Sequence, residues 1–96
     1  RLWTEASPVS ELLNALADAK TDDERRKLLD EDKELVTREL LFLLSGTSDR
    51  AYTQADYARA LRLLQSAVLA AEIIGDKNEQ ANAWHNMGII HFVQNR

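Results

Sequence analysis

Residues Asp56-Tyr57-Ala58-Arg59-Ala60-Leu61-Arg62-Leu63-Leu64 open a segment that runs to Ile73-Ile74-Gly75-Asp76, and its pattern decides the fold. Tyr57, Ala60, Leu61, Leu64, Ala67, Val68, Ala71 and Ile74 recur at steps of three and one, so they form one stripe along an α-helix. Arg59, Arg62 and Ser66 fall opposite and are expected to face water, with Leu69 and Ile73 near them as a small exposed apolar spot. The helix should be about 18 residues long and end at Gly75, because glycine takes the left-handed conformation that closes a helix without steric cost. Asp76 and Glu79 then have the spacing of a helix-capping pair, which predicts a last helix from about Lys77 to Gln94.

The same signals recur upstream. Ser7-Pro8 has the form of an N-cap followed by proline at the first helical position, and Val9, Leu12, Leu13 and Leu16 follow at helical spacing, so a first helix is expected over about Pro8 to Ala19. Thr21 and Glu24 form a capping box before a short second helix that carries Leu28 and Leu29. The mixed charges from Asp18 to Glu34 are expected to form a solvated helix and turn. Thr37 caps a third helix over about Arg38 to Thr53, whose run Leu40, Leu41, Phe42, Leu43, Leu44 asks for burial on several sides. Gly46 costs about 1 kcal/mol inside a helix relative to alanine, so a break there is the alternative. No strand pattern competes, and the expected fold is all-α, with about five helices in antiparallel hairpins of an α-solenoid.

Within the last helix, Trp84-His85-Asn86-Met87-Gly88-Ile89-Ile90-His91 has the spacing Trp-x-x-Met-Gly-x-x-His. It resembles the W-x-x-L-G-x-x-Y opening of a tetratricopeptide repeat, with Met87 for leucine and His91 for tyrosine. The stretch Gln54 to Asp76 resembles the second helix and exit turn of the longer bacterial form of such repeats. Gln94-Asn95-Arg96 resembles a return of Gln54-Ala55-Asp56 after 40 positions, longer than the common period of about 34. In that register the earlier copy is degraded, because Leu44, Thr47, Ser48 and Ala51 stand at the signature positions.

The resemblance implies an amino-terminal helical leader over 1–36 and a repeat segment over 37–96 that ends after the first helix of a second repeat, as the beginning of a longer array. It implies that Ala81, Trp84, Met87, Gly88 and His91 point toward the preceding helix pair, with Trp84 a packing anchor, His91 in or near the core, and Gly88 at a crossing too close for a Cβ. Tyr57, Leu61 and Leu64 would build the support. The other face, Asn82, His85, Ile89, Phe92 and Val93, would line a groove that receives a protein or peptide. The carboxylate clamp of some tetratricopeptide domains needs Lys and Asn where this chain offers His85 and Ile89, so an apolar or amphipathic peptide suits it better. The leader, Pro8 to Glu34, loosely resembles the helical segment that precedes repeats in some bacterial regulatory proteins, including ones with a caspase-like protease domain.

Composition bounds the alternatives. With 96 residues, 45% hydrophobic and 29% charged, the chain fits one small folded domain and not a disordered tail. A net charge of −4 with interspersed signs supplies no basic surface for a phosphate backbone, so nucleic acid is not an expected partner. No apolar run reaches the roughly 20 residues that span a bilayer, and no signal peptide opens the chain. A soluble chain without membrane association is expected, a cytoplasmic one before others. Cysteine is absent, which excludes disulfides and thiolate sites.

Catalytic and metal chemistry finds little foothold. His85 and His91 are six residues apart and cannot grip one ion from one helix face. Asp30, Asp32 and Glu34 alternate like a calcium loop, but Leu35 replaces the glycine such a loop needs. Gly46, Gly75 and Gly88 are isolated, so there is no phosphate loop, and Ser45, Thr47, Ser48 and Asp49 have no histidine in their element. The expectation is a non-enzymatic adaptor or scaffold module that needs no cofactor. The alternative is a self-assembly module forming a homo-oligomer through Ile89, Phe92 and Val93 of its last helix. Trp3 is left with two roles, packing back onto the core or an exposed contact.

Overall fold

A computed structural model describes residues 7–95; Trp3 lies outside them. Among the described residues five α-helices follow one another: α1 (Pro8–Asp18), α2 (Asp22–Glu31), α3 (Arg38–Thr53), α4 (Tyr57–Ile74) and α5 (Lys77–Gln94). A 3-10 turn, Lys33–Leu35, joins α2 to α3, and no strand occurs among the described residues. Every helix start is set by a side chain that accepts a backbone N–H otherwise left without a partner. Ser7 takes Ser10, Thr37 takes Leu40, Asp56 takes Arg59 and Asp76 takes Glu79, at 3.1–3.3 Å. At α2 the capping box is complete, with Thr21 Oγ1 3.1 Å from the Glu24 amide and Glu24 Oε1 3.1 Å from the Thr21 amide. α3 runs through Gly46 without a break, so the expected alternative does not occur.

Two of these caps also respond to pH. The backbone N–H groups of Lys20 and Thr21 hold the Glu24 carboxyl below its usual range. The Glu79 N–H, then the Arg38 guanidinium, do the same for Asp76. Because both folded-state values are depressed, their stabilisation is present above the unfolded values of 4.5 and 3.8 and is lost as pH falls through the lower folded ones. Melting followed by circular dichroism should therefore show a midpoint that drops between about pH 5 and pH 2, and Glu24→Gln should make that drop shallower. An unchanged slope in Glu24→Gln would remove this cap from the acid response.

The two long hairpins share one turn chemistry. At the end of α3, Asp56 N donates to Ala51 O and Ala55 N to Tyr52 O; at the end of α4, Asp76 N donates to Ala71 O and Gly75 N to Glu72 O. Both are Schellman closures with a left-handed residue, Ala55 at φ 62° and Gly75 at φ 86°, followed at once by an aspartate that caps the next helix. One residue thus ends a helix and its neighbour starts the next, which turns the chain back within three residues. The Tyr52 and Tyr57 rings, 5.6 Å apart, pack across the first of these turns.

α4 is the central element. α3 lies along one side and α5 along another, while α1 and α2 pack on α4 as well, and α3 and α5 barely touch each other. Leu12 and Leu16 of α1, Leu29 of α2, Leu40 and Leu44 of α3, Leu63 and Leu64 of α4 and Ile90 of α5 belong to one core. The face of α4 expected to meet water is therefore covered. Ser66 is fully buried with its hydroxyl donating to Arg62 O, Leu69 is buried, and only Ile73 is exposed as expected. Arg62 Nε donates to the Ala17 carbonyl, and Arg59 lies 3.9 Å from Asp18. Ser66 and Ala70, both small, are fully buried on this helix.

The charged stretch after α1 also departs from its expected solvation. Arg25 is only 3% exposed. Its guanidinium donates to Ala19 O at 3.1 Å, to Gln65 Oε1 at 2.8 Å and to Asp22 Oδ1 at 3.2 Å. A buried cation is tolerated when its donors are satisfied in this way. Arg25 and Arg62 together engage carbonyls left over at the end of α1 and tie α1 and α2 to α4.

Candidate functional site

Because α3 and α5 flank α4 without closing on each other, a groove lies between them with Leu64 and Ala67 of α4 at its floor. One recess, of about 460 Å³, is lined by Arg38, Leu41, Phe42 and Ser45 from α3 and by Glu79, Asn82, His85 and Asn86 from α5. A second, of about 140 Å³, continues past Asn86 to Ser48, Asp49, Tyr52, Ile89 and Ile90. Arg38 at the first end is held by Asp76. Asn82 and Asn86 stand one helical turn apart on the α5 wall, and neither carboxamide has a hydrogen-bond partner among the described residues.

Of the residues expected to meet a partner, Asn82, His85 and Ile89 are exposed and line this groove. Phe92 is exposed but borders neither recess, and Val93 is half-buried. Leu64 is buried, and Tyr57, Leu61 and Met87 are partly buried against the core.

The rest of the expected support is turned outward. Trp84 is 55% exposed, and Ala81, Gly88 and His91 are exposed too. The inward residues of α5 are Gln80, Ala83, Met87 and Ile90, each one position before Ala81, Trp84, Gly88 and His91. One residue is a rotation of about 100°. Ala83 and Ile90 seat α5 on α4 because a small and a branched side chain fit that line, whereas the indole of Trp84 rests at the edge of a separate recess with Val68 and Leu69. Nothing lies within 4 Å of a Cβ built on Gly88, so the expected close crossing is absent. An exposed mid-helix glycine only weakens the helix, and Gly88→Ala should raise the unfolding free energy by about 1 kcal/mol. A loss of stability in urea titration would instead reveal a contact at this position.

The groove also contains residues that sequence reasoning passed over. Phe42 belongs to the run that asks for burial, yet it is 78% exposed at the groove wall. The signal was present: five consecutive apolar residues point in every direction around a helix, so one of them must leave the core. Asn86 and Ser45 carried no comparable signal, because a neutral polar residue reads equally as surface or as site. Among the described residues no group of three His, Asp or Glu could hold a metal ion, and no helix is long and apolar enough to cross a membrane. No protein-family model, no curated protein and no solved structure matches this chain.

Proposed function

We propose that this chain is a non-catalytic protein-interaction module of the tetratricopeptide-like helical-repeat kind, which takes a segment of a partner protein into the groove between α3 and α5. The observation that carries this reading is the groove wall itself. Phe42, Asn82, Asn86 and Ile89 offer apolar surface and hydrogen-bonding groups that the fold leaves unused. Such a mixture of apolar contact and convergent polar groups is the chemistry of a peptide site. Two hairpins that share α4 present it on rigid elements.

The test is selection of random heptapeptides displayed on phage against the immobilised chain and against Asn82→Trp. That variant fills the groove with a neutral bulk from an exposed position and should leave helicity unchanged. Peptides retained by the parent and lost by Asn82→Trp support the reading; equal retention by both excludes the groove.

A second reading, self-association through α5, draws on the outward placement of Trp84 beside the small residue Gly88. Light scattering over a wide concentration range separates the two. A dimer that dissociates on Trp84→Glu favours self-association, and a monomer throughout favours the groove.

A further inference from the structure

The α3–α5 groove is acidic wherever it carries free charge. Arg38 is neutralised by Asp76, which leaves Glu79 at that end and Asp49 at the other as carboxylates with no ion-pair partner among the described residues. Beyond Glu79 on the same wall stand Asn82 and then Asn86, about 6 Å apart along α5 at 1.5 Å per residue. An extended chain repeats every two residues, about 6.6 Å, so peptide groups facing the same way meet both carboxamides in turn. Each carboxamide offers donors and an acceptor, as an open peptide group does. A helical ligand could meet them only through side chains, since its backbone groups are consumed internally.

Asp49 lies level with Asn86 and Ile89, seven to ten residues beyond Glu79 on α5. That is about 10–15 Å along the groove. An extended peptide covers it in about three to five residues at 3.3 Å each. We infer, on the footing of the groove reading above, that the occupant is an extended peptide segment bearing two Lys or Arg side chains three to five residues apart. One meets Glu79, the other Asp49, and an apolar side chain between them lies against Phe42 or Ile89.

The heptapeptide selection tests this directly when the groove-dependent peptides are sequenced. A pair of basic residues at that spacing is the expected result. One selected peptide is then measured by fluorescence anisotropy at physiological salt. Glu79→Lys with Asp49→Lys should weaken it at least about tenfold, since unlike charges become like ones at contact. Asp30→Lys with Glu34→Lys, the same change in net charge on exposed positions outside the groove, should alter it by less than about twofold because salt screens distant charges. Groove-dependent peptides that are neutral or acidic overturn this inference and leave the groove reading standing, as does equal weakening by both charge reversals. Absence of any Asn82-dependent peptide overturns both.

Discussion

Leu16→Ala should lower the unfolding free energy of the whole chain by about 3 kcal/mol, and with it the melting temperature by roughly 12–24 °C. Leu16 is in α1, is fully buried, and packs in the same core as Leu44, Leu63 and Ile90. Truncation removes three methyl-sized carbons from a site whose walls come from different helices and so cannot collapse freely. For a domain of this size the total stability is only about 5–10 kcal/mol, so the loss is a large share of it. Hydrogen exchange adds the decisive part of the measurement. If α1 and the later helices form one cooperative unit, protection of α5 amides falls together with that of α1. Unchanged protection in α5 would show two units that unfold independently.

Arg25→Ala should cost about 2–3 kcal/mol, because Ala19 O is left without its donor in a buried place and Gln65 Oε1 loses its donor in a part-buried one. The charge itself is not the gain; removing a cation from the interior would be favourable were its hydrogen bonds not lost with it. Arg25→Lys should recover only part of the loss, since an ammonium cannot reproduce the planar fork that reaches three acceptors at once. A double-mutant cycle with Gln65→Ala isolates the link between α2 and α4, with an expected coupling of about 1 kcal/mol. Purely additive effects in urea titrations would mean that Arg25 serves the α1–α2 connection and not α4.

Leu16 stands on a stripe that the spacing of Val9, Leu12 and Leu13 announces, whereas no pattern in the chain announces the contacts of Arg25. Arg25 sits among acids and bases whose composition is that of a solvated helix, and its burial depends on Gln65, 40 residues later. The candidate groove is similar in this respect: Asn82, His85 and Ile89 were legible as one helix face, but Phe42, Ser45 and Asn86 became part of the site only when α3 and α5 were set on either side of α4. Trp84 misled for a related reason. Its signature spacing is compatible with either of two helix faces one residue apart, and the packing of Ala83 and Ile90 decided between them.

What the sequence determined by itself is therefore the set of helices and most of their ends. Thr21 with Glu24, Thr37, Asp56, Asp76 and Gly75 act on backbone groups within five residues, and such short-range chemistry is the same in any fold. What only the tertiary structure decided is which side of each helix is inside. α4 has apolar or small residues almost all the way round, and α5 has Ile90 facing inward and Trp84 facing outward. An all-round apolar helix does not specify its own orientation. That choice was made by partners distant in the chain, Arg62 with Ala17 at 45 residues and Arg25 with Gln65 at 40, because burial is a property of surfaces brought together and not of the segments that carry them.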